Sequence, residues 1–349
     1  MGLMFNWKDI KNRDHGLTFD DVLIMPKKSE MKSRKDPSLR SRITKTKFLE
    51  TPIISANMDM VTEARMAIAM HKFGGLGILH RFMDTDKQVA MIEEVKAAGA
   101  NIISASIGVN ADFKERAHAI VKAGVNLMTI DIAHGHSVAM MDTLKWLKDT
   151  FPGLEVIAGN LATPDAAIDL IEAGADAIKV GIGPGSMCTT RIITGCGVPQ
   201  LTAIALCAEA AESYDVPVIA DGGIRTSGDM VKAFGAGAST IMLGSMLSGT
   251  IETPGDIVNG KKQYRGMASK KAQVSWRGDM PKGMAPEGES TFVNVKGHVE
   301  DVLHELCGGI RSGMTYMNAQ TIAEMRDKTQ FMEMSSNGIS ESRAHGVKN

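Results

Sequence analysis

The chain has 349 residues, with 39 Lys+Arg against 40 Asp+Glu, a formal net charge of −1 and 44% hydrophobic residues. That length allows one large domain or two ordinary ones, and the apolar share suits a globular protein with a sizeable core. The balanced charge argues against nucleic acid or a membrane surface as partner, because neither attraction has a charge excess to draw on.

Residues 1–50 are polar and irregular, and the one ordered-looking stretch, Leu-Thr-Phe-Asp-Asp-Val-Leu-Ile at 17–24, is stopped by Pro26. A rhythm then begins. Short runs rich in Ile, Val and Leu recur at 52–56, 76–79, 102–107, 127–132, 156–158, 177–182, 216–220 and 240–243. Their apolar residues are nearly continuous, which suits strands buried on both faces of a parallel sheet. Helical stretches lie between them at 62–72, 85–98, 112–122, 137–149, 163–173, 200–213 and 227–234. Thr163-Pro164 and Thr226-Ser227 are N-cap candidates, and Gly99, Gly124, Gly174 and Gly235 supply stop signals. Eight strands alternating with helices predict a (β/α)8 TIM barrel, an α/β fold, carried by a single catalytic domain over 1–349. A doubly wound open sheet is the alternative. After the eighth run the rhythm breaks. Residues 250–296 read as a long insertion without structure of its own, a flap or binding loop, with a disordered surface excursion as the alternative. An eighth helix resumes over 299–306; a C-terminal tail runs from about 330 to 349, and its stretch Glu341-Ser342-Arg343-Ala344-His345 is polar and expected to be extended.

A barrel places its chemistry at the C-terminal ends of the strands. Polar residues and glycines crowd that rim: Asn57-Met58-Asp59, Asp131 to Ser137, Gly159-Asn160, Asp221-Gly222-Gly223 and Gly244-Ser245. The richest stretch is 179–200, where a buried strand runs into Gly181, Gly183, Gly185, Ser186, Cys188, Thr189, Thr190 and Arg191. Glycines let the backbone approach a ligand closely, and a cysteine there acts as a nucleophile once ionised; the plainer reading is a tight turn with a buried thiol. Gly222, Gly223, Gly244 and Ser245 follow strands 7 and 8, where this fold commonly holds phosphate. Asp221 reads as a site residue rather than a loop cap, and Asp131 as a hydrogen-bond partner for a ribose. His134 and His136 invite zinc, but no carboxylate or third histidine stands at ligand spacing, so structural or ligand-contact roles are expected. The four cysteines, Cys188, Cys196, Cys207 and Cys307, contain no Cys-x-x-Cys pair, which indicates neither a zinc site nor a disulfide framework and suits a reducing compartment. No secretory signal opens the chain and no apolar run approaches the roughly 20 residues of a membrane span, so a cytoplasmic location is expected.

These motifs resemble the IMP dehydrogenase / GMP reductase family. The carriers are 17–24, Ser-Ala-Asn-Met-Asp at 55–59, Asp-Ile-Ala-His-Gly-His-Ser at 131–137, Gly-Pro-Gly-Ser-Met-Cys-Thr-Thr-Arg at 183–191, Ala-Asp-Gly-Gly at 220–223, Tyr-Arg-Gly-Met at 264–267 and Gly-Gly-Ile-Arg-Ser-Gly at 308–313. The resemblance implies a barrel, a homotetramer, a purine nucleotide substrate and a nicotinamide cofactor. It implies Cys188 as the nucleophile that attacks purine C2 to give a covalent thioimidate, with Thr190 and Glu287 as the other catalytic residues. It places the nucleotide against Met58, Ser186, Asp221, Gly223, Gly244, Ser245, Tyr264, Gly266, Met267 and Ala268. It places the cofactor against Asp131, Ala133, Asn160, Lys179 and Gly181. Carbonyls of Gly183, Gly185 and Cys188 match a potassium loop, and Glu341-Ser342-Arg343 matches the accompanying tail loosely.

Two features bear on the direction of reaction. His80-Arg81-Phe82 runs straight into the next helix, so the regulatory (CBS) domains that most dehydrogenases insert there are absent. The flap from Arg265 to Glu287 is short and lacks the Arg-Tyr pair with which dehydrogenases of the family activate water; Trp276-Arg277 is the nearest substitute. Both features resemble reductases, and the reading is GMP + NADPH giving IMP, ammonia and NADP. Residues 61–70, Ile107-Gly108-Val109 and the tail after Gly338 are similar to dehydrogenases, which keeps IMP + NAD giving XMP as the alternative. A nucleotide-binding protein without chemistry is the reading from another class.

Overall fold

Eight short parallel strands close on themselves, each made of the β-branched and aliphatic runs that pack well on a pleated surface. The computed structural model describes residues 4–110, 112–280 and 282–342. The strands are Ile53–Ser55 (β1), Leu76–Leu79 (β2), Ser104–Ile107 (β3), Leu127–Asp131 (β4), Glu155–Leu161 (β5), Ala177–Val180 (β6), Val218–Asp221 (β7) and Thr240–Leu243 (β8). Pairing of β8 with β1, Ile241 opposite Ile53 and Leu243 opposite Ser55, completes a closed barrel and excludes the open sheet. The surrounding helices are Ala64–Phe73 (α1), Thr85–Ala97 (α2), Phe113–Ala123 (α3), Val138–Thr150 (α4), Pro164–Glu172 (α5), Gln200–Glu212 (α6), Ser227–Gly235 (α7) and Val299–Met317 (α8). Thr163 and Thr226 cap α5 and α7 through side-chain acceptance of the Ala166 and Asp229 N–H groups.

Side chains alternate along a strand, so parity decides what faces the barrel axis. Ile54, Ile78, Leu127, Ile157, Ala177, Ile219 and Met242 pack together inside, plugged by Ile43 and Leu49 from the hairpin Ser41–Arg42 / Phe48–Leu49. Two residues beyond Ala177 comes Lys179; two beyond Ile219 comes Asp221; four beyond Leu127 comes Asp131. The same parity that buries the apolar layers therefore turns three charges inward at the C-terminal end. In β5 the register slips by one, from Lys179 opposite Gly159 to Val180 opposite Leu161, so that Asn160 is an extra residue in the strand. Gly159 is required beside it, because a Cβ there would stand 2.6 Å from the Lys179 Cβ.

Four expectations need correction. The flap has structure of its own: Lys261–Arg265 pairs antiparallel with Ser290–Asn294, and Lys270–Arg277 forms a helix capped by the Ser269 hydroxyl. Part of the tail is ordered: Phe331–Glu333 lies between Met4–Phe5 and Val22–Ile24 in a small antiparallel sheet, and Ser336–Glu341 is helical, so that of the stretch expected to be extended Glu341 ends a helix instead and 343–345 lie outside the described residues. That sheet also orders part of the N-terminal arm, which had read as irregular. Finally, α8 continues past 306 to Met317, with Ile310, Met314 and Met317 carrying its buried face.

Candidate active site

Lys179 is 1% exposed, and its ammonium is wholly enclosed by acceptors. Nζ donates to Asp131 Oδ1 at 2.8 Å, to Asp221 Oδ2 at 2.9 Å and to Asn160 Oδ1. The Asn160 amide donates in turn to Asp221 Oδ2 at 2.9 Å and to the Gly181 carbonyl at 2.8 Å. Burial opposes the charge on Asp131, yet Lys179 overrides it and holds the carboxyl below the usual carboxylate range. Burial likewise opposes the lysine charge, and the two aspartates more than offset it, raising its pKa. This charged layer is the floor of a cavity of about 580 Å³.

Cys188 sits in one wall, half-buried, on the loop leaving β6, where its N–H donates to the Gly185 carbonyl at 3.0 Å. Its thiol donates to Thr190 Oγ1 at 3.1 Å, and the Thr190 hydroxyl donates to Glu287 Oε2 at 2.8 Å. Thr190 starts the short helix Thr190–Thr194, whereas Glu287 belongs to the flap. Backbone bonds bring the two together: Thr189 N–H to the Glu287 carbonyl at 3.1 Å, Glu289 N–H to the Met187 carbonyl at 2.8 Å, and a bridge between Cys188 and Gly288. The result is a thiol–hydroxyl–carboxylate chain along which a proton can leave sulfur or return from the carboxylate.

Ser186, Gly222, Gly223, Gly244 and Ser245 also line the cavity, together with Tyr264. Gly222 and Gly223 have φ of 92° and 80°, which side chains rarely adopt, and they turn the backbone towards the cavity. Tyr264 is 4% exposed; burial raises its pKa, and its hydroxyl faces the Ser186 and Ser245 side chains. Backbone turns and hydroxyls without a fixed negative charge are a suitable lining for a phosphate.

Every residue singled out for catalysis, nucleotide, cofactor or potassium lines this one cavity: Met58, Asp131, Ala133, Asn160, Lys179, Gly181, Gly183, Gly185, Ser186, Cys188, Thr190, Asp221, Gly223, Gly244, Ser245, Tyr264, Gly266, Met267, Ala268 and Glu287. Lys179 is spent on its three acceptors and acts through them. His134 and His136 lie outside the lining, and His136 Nε2 meets Asp169 Oδ2 at 2.8 Å. Among the described residues no group of three or more His, Cys, Asp or Glu side chains could hold a metal. For potassium, Gly183, Gly185 and Cys188 offer carbonyl oxygens, the chemistry a hard cation takes. The Gly185 carbonyl already accepts from Cys188, and Arg191 packs against Gly183 while its Nε donates to the Ile182 carbonyl at 3.3 Å, so this loop supplies only part of a cage. Of the matching tail, Arg343 lies outside the described residues.

Several contributors carried no motif. Gln200, at the start of α6, donates to the Val180 and Asp221 carbonyls at 3.0 and 3.1 Å and ties two strand ends together. Arg81 donates to the Asp131 carbonyl at 3.3 Å and stacks 4.7 Å over Phe82, with burial lowering its pKa. Gln273, on the flap helix, lines the cavity beside Met267. Only side-chain placement reveals these three. The flap's own arginines are elsewhere: Arg265 is locked onto Asp59, and Arg277 stacks 4.5 Å from the Trp276 ring, outside the cavity lining.

A family model described as "IMP dehydrogenase / GMP reductase domain" matches residues 16–345. The chain is 41% identical to an inosine-5'-monophosphate dehydrogenase of Cryptosporidium parvum, covering 97% of each chain. It is 38% identical to the protein of that name from Borreliella burgdorferi, covering 95% of this chain and 97% of the relative, and 35% identical to that of Halalkalibacterium halodurans, covering 98% of each. With the closed barrel, the cysteine loop and near-complete coverage in agreement, the chain belongs to the IMP dehydrogenase / GMP reductase family.

Proposed function

We propose that this protein is a purine-nucleotide oxidoreductase working at purine C2 through Cys188, and that it runs as an NADPH-dependent GMP reductase. The observation that carries the direction is what the flap delivers beside Cys188: a carboxylate, Glu287, hydrogen-bonded to Thr190, and, among the described residues, neither a guanidinium nor a second phenol.

In this scheme Cys188 loses its proton through Thr190 to Glu287, and the sulfur adds to C2 of GMP. Glu287 returns the proton through Thr190 to the 2-amino group, the C2–N bond breaks, and ammonia leaves a thioimidate on Cys188. Asp131, Asn160 and Gly181 would hold NADPH, which would supply a hydride equivalent to C2. Cys188 is then released as the C2–S bond breaks, and IMP is the product. Ser186, Gly223, Gly244 and Ser245 hold the phosphate. Asp221 takes the ribose hydroxyls through the carboxylate oxygen that Lys179 and Asn160 leave open. The covalent step divides one difficult displacement into two easier ones.

A second reading, IMP dehydrogenase with NAD and water, is favoured by the relatives, whose printed names are dehydrogenases. Glu287 and Thr190 would then take a proton from water. The homotetramer, the cytoplasmic location, the single-domain organisation and a potassium ion at the cysteine loop belong to the same proposal. Absorbance at the nicotinamide band separates the readings. Loss of signal with GMP and NADPH, with ammonia released, is the expected result; gain with IMP and NAD, yielding XMP, establishes the dehydrogenase. Silence in both directions refutes both and leaves a nucleotide-binding protein. Cys188→Ala should abolish turnover and leave nucleotide binding intact.

A further inference from the structure

Three cations from three parts of the chain are spent on the backbone of one turn. Residues 244–253 follow β8 and begin with the Gly244 and Ser245 that line the cavity. Lys262, on the first flap strand, is 2% exposed. Its Nζ donates to the Thr250 and Ile251 carbonyls at 3.2 Å each, to the Thr253 carbonyl at 2.6 Å and to the Thr253 hydroxyl at 3.2 Å. Lys296, just past the second flap strand, donates to the Ser245 and Met246 carbonyls at 3.0 and 3.1 Å. Arg65, from α1, donates to the carbonyls of Ile251, Glu252 and Thr253. Among the described residues none of the three is paired with a carboxylate. Hydrogen bonds from a charged donor are roughly twice as strong as neutral ones, so this is an expensive way to hold a turn unless its exact place matters.

Ser245 is gripped from two sides. Lys296 and the Ser248 hydroxyl, at 2.6 Å, hold its carbonyl, and the Tyr264 hydroxyl faces its side chain. Tyr264 stands two residues beyond Lys262, on the same buried face of the strand. Neither lysine lines the cavity. We propose that Lys262 and Lys296 are positioning residues for the nucleotide's phosphate: as fixed cations on the carbonyls of 245–253 they set the place of Gly244 and Ser245 without touching the ligand. This rests on the reading above that Gly244 and Ser245 help hold the phosphate. Backbone bonds from the Lys296 N–H to the Gly249 carbonyl at 2.9 Å, and from the Ile251 N–H to the Gly297 carbonyl at 2.8 Å, keep the turn docked when a lysine side chain is shortened of its charge.

The test measures calorimetric affinity of the full chain for IMP and for inosine, which differs only in lacking the phosphate. The wild-type protein should prefer IMP. Lys296→Met, a change at an exposed side chain, should weaken IMP by roughly three- to tenfold and leave inosine within about twofold. Lys296→Arg, which keeps the cation, should stay within about twofold of wild type on both. Lys262→Met should weaken IMP at least as much as Lys296→Met; should it fail to fold, the two Lys296 variants decide alone. The loss should persist in about 1 M salt, where the Debye length is about 3 Å, because it comes from a displaced turn. A loss that salt abolishes marks plain attraction across water and overturns the inference. So do unchanged IMP affinity in the Met variants, equal weakening of IMP and inosine, and a Lys296→Arg protein as impaired as Lys296→Met. A wild-type protein that binds IMP no better than inosine overturns the phosphate reading itself, and the inference with it. A wild-type preference for IMP that the Met variants retain overturns the inference alone.

Discussion

Replacing Lys179 by Met tests whether the charged floor is a unit. The substitution keeps the length and the stem and removes the ammonium. Asp131 Oδ1, Asp221 Oδ2 and Asn160 Oδ1 then lose their shared donor in a layer where Lys179 itself is 1% exposed. Removing one partner of a buried ion pair costs about 3–5 kcal/mol. With an m-value of roughly 4 kcal/mol/M for a chain this long, the urea midpoint should fall by about 1 M. The pH dependence should also change sign. In the wild type, burial favours neutral Asp131, but Lys179 holds its pKa below the ordinary value. Asp131 therefore contributes stability that is present above about pH 4, its unfolded value, and lost as pH falls through its folded pKa. Without Lys179 only Arg81 and the Asn57 side chain still oppose burial, and the folded pKa rises. Protonation then stabilises the variant, so its deficit should narrow as pH falls from 7 towards 5. Urea midpoints of both proteins at the two pH values measure this. A Lys179→Met protein within about 1 kcal/mol of wild type at pH 7, with an unchanged pH slope, would refute the reasoning.

Two further outcomes follow from the cysteine loop. Glu287→Gln keeps an acceptor for Thr190 and removes the base, so kcat should fall by about 10²–10⁴ with nucleotide KM nearly unchanged; a variant retaining a third of wild-type kcat sinks the relay. Under native conditions iodoacetamide should label Cys188 and the exposed Cys196, and mass mapping should find Cys207 and Cys307 unmodified. Burial withholds those two, pushing the Cys307 thiol up to about 11 and that of Cys207 higher still. Bound GMP should protect Cys188 and leave Cys196 reactive.

The barrel was legible because its strands are buried on both faces and its helices carry caps and glycine stops, signals that survive in one dimension. The cysteine loop was legible because Gly183 to Arg191 packs reactive and conformationally free residues too densely for a plain turn. The flap was misread. Its strand Ser290–Asn294 has an exposed, mixed surface, with Phe292 at 56% exposure, and owes its existence to pairing with Lys261–Arg265 rather than to a hydrophobic pattern. The sheet strand Phe331–Glu333 leaves no pattern for the same reason: Phe331 is an isolated apolar residue in sequence until Phe5 meets it at 5.8 Å. Gln200 and Gln273 were invisible because an amide's importance lies in which carbonyl it reaches. Lys179 was found by resemblance, although parity alone would have turned it inward once Ala177 was placed on the axis.

The slip of register in β5 has a bearing on how the family can change its chemistry. By adding Asn160 to a rim that parity had already filled with Lys179, Asp131 and Asp221, it gives the barrel four side chains that hydrogen-bond chiefly to one another and to the Gly181 carbonyl just past β6. Glu287 and Gln273 arrive instead on the flap, fastened to the barrel by exchangeable backbone bonds around Gly288. The charged floor of the cavity and the carboxylate beside Cys188 thereby come from separate pieces of chain. The second piece can change in length or in its proton donor while the first stays folded. A relative 41% identical over nearly its whole length can on this arrangement end the reaction differently.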